Sequence, residues 1–276
     1  MSCLIDIGAN LANPRLLKRL PELIAGAKSR RVGRIICTGT THDSSLLAIS
    51  LAQQHAGFIF ATSGIHPHYA GAVSDEELEQ TLSLSRFAEV VAIGECGLDY
   101  HRMLAPRSRQ REVFESHVRL AKQAEKPLFL HCRGVADCYK DFHDILKEYG
   151  FPPGVVHCFT GSPEQATLFV ESGYYIGVTG WVCDRKRGCD LIDALGVIPP
   201  ERLLLETDAP YLHPLLKQED NTPENLFLVA QKVASIVGFD VESLITLVEK
   251  STTTLFRMSP CEPAGTPRQN PLVAAP

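Results

Sequence analysis

The sequence has no long apolar run, and no stretch approaches the roughly 20 residues that a membrane-crossing helix requires. Its start shows no charged segment followed by an apolar one, the pattern of a secretory signal. A soluble, cytoplasmic protein without membrane contact is therefore expected. Positive charge is not in excess: 27 Lys and Arg stand against 32 Asp and Glu, for a net charge of −5. This excludes attraction to nucleic acid over the whole surface and leaves room only for a local basic rim. The nine cysteines include no C-x-x-C pair and are read as reduced thiols, several of them small core residues. No G-x-G-x-x-G follows the first expected strand, which speaks against a dinucleotide-binding open sheet. What remains is an ordinary composition, 45% hydrophobic and 21% charged over 276 residues. That suits one α/β domain with a sizeable core.

The most informative stretch is Val90 to Tyr100, VVAIGECGLDY. Its apolar start reads as a strand buried on both faces. Gly94, Glu95 and Gly97 then read as a tight turn at the strand's end. A carboxylate placed there is costly unless a metal ion or a cation compensates its desolvation.

Similar apolar runs end at Asp6, His66, His131, His157 and Asp208, with helical periodicity between them. Expected helices include residues 14–31, 107–124 and 136–149, and short expected strands include 154–156 and 203–205. Strands alternating with helices at roughly 30 residues per unit predict a (β/α)₈ barrel. The barrel domain is expected over residues 1–258, followed by a disordered tail over 259–276 that is rich in proline and alanine.

In such a barrel the C-terminal ends of the strands form the catalytic face. Singly, a histidine at a strand end is most often a hydrogen-bonded core residue, and Asp208 before Ala209-Pro210 is a turn former. Together, carboxylates and imidazoles opening into one cavity match a divalent-metal site and predict a metal-dependent hydrolase.

The motifs Asp6-Ile7-Gly8, Gly64-Ile65-His66-Pro67-His68, Ile93-Gly94-Glu95-Cys96-Gly97-Leu98-Asp99, His131-Cys132-Arg133, His157-Cys158-Phe159-Thr160-Gly161 and Glu206-Thr207-Asp208-Ala209-Pro210 resemble the TatD family of metal-dependent deoxyribonucleases. The likeness runs in order to about Phe256. It implies an amidohydrolase-like TIM barrel that cleaves phosphodiesters in DNA, as a 3′–5′ exonuclease on single-stranded DNA or RNA ends. It further implies Glu95, His131, His157 and Asp208 as metal ligands, with Glu95, Asp208 and His66 catalytic. Asp208 would deprotonate the attacking water, and His66 would lie near the scissile phosphate. Arg133 would neutralise phosphate charge. Mg²⁺ is the implied ion, although two imidazoles also suit Mn²⁺ or Zn²⁺.

One departure stands out, because many relatives carry Asp-x-His-x-His on the first strand. Here those histidine positions are Gly8 and Asn10, which puts a tightly held dinuclear zinc centre in doubt. Arg185 and Arg187, in the loop after the seventh strand, are expected to bind substrate. Lys28, Arg30, Arg31 and Arg34 sit at the opposite end and read as a solubility feature. The alternatives are a small-molecule ester, amide or phosphotriester hydrolase on the same scaffold and a non-catalytic binding protein.

Overall fold

The computed structural model describes residues 2–261. Eight parallel strands follow one another around a single sheet, forming a (β/α)₈ TIM barrel. They are β1 (Leu4–Ala9), β2 (Val32–Cys37), β3 (Ile59–Ser63), β4 (Val90–Asp99), β5 (Leu128–Arg133), β6 (Gly154–Val156), β7 (Tyr175–Val178) and β8 (Leu203–Leu205). Strand side chains alternate between two apolar layers. Ile5, Ile7, Ile36, Ala92, Phe129, Val155 and Leu204 fill the barrel itself. Leu4, Ile35, Ile93, Leu128, Leu130, Val156, Ile176, Leu203 and Leu205 face the surrounding helices. The same alternation carries His131 two residues past Phe129 and His157 two residues past Val155, so both histidines rise from the barrel interior.

The first and last strands meet through loop and side-chain bonds. The Asp208 N–H donates to Gly8 O at 2.8 Å and the Asn10 N–H to Ala209 O at 2.8 Å. Asp6, which the sequence placed beside the catalytic residues, instead belongs to this seam. It is fully buried and accepts from the Thr207 N–H at 2.9 Å and the Thr207 hydroxyl at 2.6 Å. Its neighbours Ile5 and Ile7 point inward, so a period of two turns Asp6 away from the cavity.

Several expectations are revised. The helix expected over 14–31 is two helices, Pro14–Leu17 and Leu20–Ser29. Pro21 explains the break, because it lacks the N–H that would continue the first helix. β4 does not stop at a turn after Ile93 but runs on to Asp99. A register shift between Gly94 and Cys96 against β5 makes Glu95 an inserted residue. Gly94 and Gly97 make this path feasible. Their φ values are 140° and 141°, and a Cβ on either would lie 2.1 Å from Phe129 O or 2.0 Å from His131 O.

Cys3 and Cys261 form a disulfide, contrary to the expectation of nine reduced thiols. The start of β1 and the segment after the last helix meet beneath the barrel, which brings together cysteines 258 residues apart. Arg34 is buried rather than solvated. Its guanidinium donates to the carbonyls of Ser259 and Pro260. Of the tail expected to be disordered from residue 259, Ser259 to Cys261 are thus held against the barrel, while residues 262–276 lie outside the described residues. No described helix is long and apolar enough to cross a membrane.

Candidate active site

At the C-terminal ends of the strands lies a cavity of about 930 Å³. Its wall includes His66, Glu95, His131, Arg133, His157, Arg187 and Asp208, so residues spread over most of the chain meet there. Glu95 is the centre. Its Oε1 lies 2.7 Å from His157 Nε2, 3.0 Å from His131 Nδ1 and 3.1 Å from His66 Nε2. Imidazole nitrogens gathered around one buried carboxylate oxygen form a donor set that can hold a divalent cation. His66, Glu95 and His131 place one ligand atom each within 4.8 Å of one another. Asp208 stands beside them, with Oδ1 accepting from Asn10 Nδ2 at 2.9 Å.

The electrostatics follow from burial and crowding. Burial opposes ionisation of Glu95, but His157, His66 and His131 hold its carboxyl well below the ordinary range. His157 is pushed well above the ordinary imidazole value. Burial opposes this, and the carboxylates of Glu95 and Glu206 outweigh it. His131 is raised in the same way by Asp99 and Glu95 against burial. His66 goes the other way, pushed down to about 4 by burial. Burial also pushes Asp208 up to about 7, with Glu95 and Glu206 adding to the shift.

His66 differs from the other two imidazoles in a further respect. Its Nδ1 accepts the His68 N–H at 3.1 Å. A neutral ring that accepts at Nδ1 carries its proton at Nε2, the nitrogen that faces Glu95. His66 thus presents an N–H to the cavity.

The arginines divide. Arg133 and Arg187 line the cavity, with their guanidinium carbons 5.7 Å and 4.9 Å from the Trp181 ring centroid. Arg187 is also tied to Asp184 at 2.5 Å. Arg185 is exposed and is not among the cavity residues. Arg102 is on the wall, as are Tyr69, Trp181 and Tyr211. Tyr69 and Tyr211 are half-exposed. Tyr100, by contrast, is buried with its hydroxyl donating to Asp141 at 2.9 Å.

Two buried carboxylates were overlooked as site residues. Asp99 and Glu206, both with no exposed surface, stand directly behind His131 and His157. Glu206 also accounts for Gly8. A Cβ on residue 8 would lie 2.4 Å from Glu206 Oε2, and one on Gly177 would lie 2.5 Å from Oε1. The first strand carries no side chain where the Glu206 carboxylate stands.

Residues 5–257 match the family described as TatD related DNase. The chain is 37% identical over 265 residues to a protein of Rahnella sp. (strain Y9602) named 3′-5′ ssDNA/RNA exonuclease TatD, covering 93% of this chain and 99% of that one. A protein of the same name from Edwardsiella piscicida is 38% identical over 263 residues, covering 93% of this chain and all of its own length. Among solved structures, the TatD homologue YjjV of Escherichia coli K12 superposes with a TM-score of 0.85 at 29% identity, covering 93% of this chain and 98% of its own.

Proposed function

Because the chain belongs to the TatD-related DNase family, we propose that it is a metal-dependent hydrolase that removes nucleotides from the 3′ ends of single-stranded DNA or RNA. The observation that carries this reading is the meeting of three imidazole nitrogens on Glu95 Oε1 in a cavity walled by Arg102, Arg133 and Arg187. Relatives at 37–38% identity over nearly their whole length are named for the same activity.

The donor set fits a divalent ion held by Glu95, His131 and His157, with Asp208 at its edge. Such an ion supplies Lewis acidity to a phosphoryl oxygen and acidifies a water molecule near neutral pH. The family resemblance favours Mg²⁺. The imidazole-rich donors favour Mn²⁺ or Zn²⁺.

Asp208 takes a proton from the attacking water. Its carboxyl, oriented by Asn10, stands beside the donor set, where it can accept that proton. His66, neutral and offering Nε2–H, donates to an oxygen of the scissile phosphate. Arg133 and Arg187 offset the remaining phosphate charge and place the strand end. Tyr69, Trp181 and Tyr211 offer ring faces to unpaired bases, each stacked base contributing about 1–3 kcal/mol. With a net charge of −5, attraction to nucleic acid depends on local basic groups such as those of this rim, which suits a strand end entering a cavity. The proposal includes a cytoplasmic location, the compartment read from the reduced cysteines, to which the Cys3–Cys261 pair is the exception.

The test is degradation of 3′-labelled and 5′-labelled single-stranded DNA and RNA with Mg²⁺, Mn²⁺, Zn²⁺ or EDTA. Glu95→Ala and Asp208→Asn serve as variants. Metal-dependent stepwise loss from the 3′ end, reduced by orders of magnitude in both variants, is expected. A folded protein that cleaves neither polymer with any of these ions would sink the proposal.

A further inference from the structure

At the pole of the barrel opposite the cavity, three residues from distant parts of the chain converge. Cys3 precedes β1, Glu249 lies on the last helix (Val241–Leu255), and Cys261 follows that helix. The two cysteines are bonded to each other, and Glu249, buried, turns its carboxylate to them. Its Oε2 accepts the Cys3 N–H at 3.2 Å and its Oε1 accepts the Cys261 N–H at 3.0 Å. The Cys3 sulfur lies 3.9 Å from Oε1. One ligand atom from each of the three residues falls within 4.8 Å of the other two. The second strand leaves room for both sulfurs: a Cβ on Gly33 would lie 2.5 Å from Cys3 Sγ and 3.3 Å from Cys261 Sγ. Arg34, next along that strand, binds the Ser259 and Pro260 carbonyls and so holds the approach to Cys261 independently of the disulfide.

We propose that Cys3, Glu249 and Cys261 form a second metal site, for a soft divalent cation such as Zn²⁺, which becomes available when the disulfide is reduced. A small-molecule thiol supplies the reduction. The S–S bond breaks, its two sulfurs take up two electrons and two protons, and two molecules of the reductant leave joined as their own disulfide. Zn²⁺ then binds both sulfurs as thiolates, each releasing its proton to solvent, and takes one Glu249 oxygen as third ligand. Water completes the fourth position, which is reachable because both cysteines are only partly buried. Two Zn–S bonds of about 2.3 Å reach across the 6.4 Å between the Cα atoms once the sulfurs part.

The carboxylate is what points to an ion. Beside a disulfide, buried Glu249 gains only two backbone hydrogen bonds, whereas a cation between the sulfurs compensates its desolvation directly. Two thiolates select Zn²⁺ over Mg²⁺ or Mn²⁺, which prefer oxygen donors. The chemistry thus differs from that of the cavity, where the donors gathered around Glu95 are imidazoles. The arrangement serves either redox state. The first strand is tied to the segment after the last helix by a covalent bond when the pair is oxidised and through the ion when it is reduced. The proposal does not depend on the nuclease reading.

The experiment uses the full chain, reduced without oxygen by a phosphine that is then removed. Zn²⁺ is expected to slow alkylation of Cys3 and Cys261 by iodoacetamide about tenfold or more, read peptide by peptide by mass spectrometry, because a metal-bound thiolate is no longer a free nucleophile. Cd²⁺, as a spectroscopic substitute, is expected to give a near-ultraviolet thiolate charge-transfer band in the parent and in Glu95→Ala. The double variant Cys3→Ser/Cys261→Ser should lose that band. Glu249→Gln should keep it with affinity lower by more than about 10-fold, a loss that even a supporting residue of a metal site produces. Alkylation of the parent decides the matter if a variant does not fold. Equal alkylation rates with and without Zn²⁺, or a disulfide that resists the phosphine in the folded protein, would overturn the proposal. So would a Cd²⁺ band that survives in the double variant and vanishes in Glu95→Ala, since it would belong to Cys132 and Cys158 on the cavity wall.

Discussion

Asp6→Asn gives a sharp test of the seam that closes the barrel. The Asp6 carboxyl has no exposed surface, and burial pushes it from 3.8 to about 8 despite the two bonds from Thr207. The native protein therefore holds a proton at Asp6 that the unfolded chain has already released above pH 4. Stability is fully present below about pH 4 and falls as pH rises toward 8. Above that the native carboxyl ionises too, and the dependence flattens. The slope for one such proton is about 1.4 kcal/mol per pH unit. Between pH 5 and pH 7 the group removes on the order of 3 kcal/mol, and asparagine, which does not titrate, removes this contribution.

Urea unfolding of both proteins at pH 5, 6 and 7 isolates that difference, because groups common to both cancel. Asp6→Asn should be the less stable of the two at pH 5, relative to the comparison at pH 7, by the amount given. A difference independent of pH would mean that Asp6 is ionised in the folded protein and that the Thr207 bonds hold a charge.

His66→Ala should lower turnover about 100-fold, the effect of losing one donor to a developing charge. Mn²⁺ affinity, followed by calorimetry, should stay within a few-fold; a collapse of metal binding would make His66 a ligand instead. Arg187→Glu should raise KM for oligonucleotides and flatten the salt dependence of binding, whereas Arg185→Glu should do neither, because only Arg187 lines the cavity. Equal effects of the two charge reversals would refute that division.

Much of this was legible in the sequence wherever a side chain's position depends on strand periodicity alone. β6, β8 and the helix Arg107–Ala124 fall at their expected bounds, and His66, Glu95, His131, Arg133, His157, Arg187 and Asp208 meet in one cavity. β4 was misread because two glycines within four residues resemble a turn. Here they carry an extended, bulged strand past a neighbour's carbonyls. That error hid Asp99, which emerges at the true strand end. Glu206 had a readable signal, since the alternation Leu204, Glu206, Asp208 points all three inward. The pairing of Cys3 with Cys261 had none, because only closure of the barrel brings the two ends of the chain together. Arg34 looked like a surface cation for the same reason: its partners Ser259 and Pro260 arrive from the far end of the sequence.

The seam between β1 and β8 also sets when the candidate site is complete. The imidazoles and Glu95 leave the ribosome well before Asp208, and Asp208 is set in place by Gly8 and Asn10 from the very beginning of the chain. Until the last strand emerges and docks, a growing polypeptide holds a partial ligand set without its proton acceptor and without Glu206. Barrel closure is thereby the last step in assembling the candidate site.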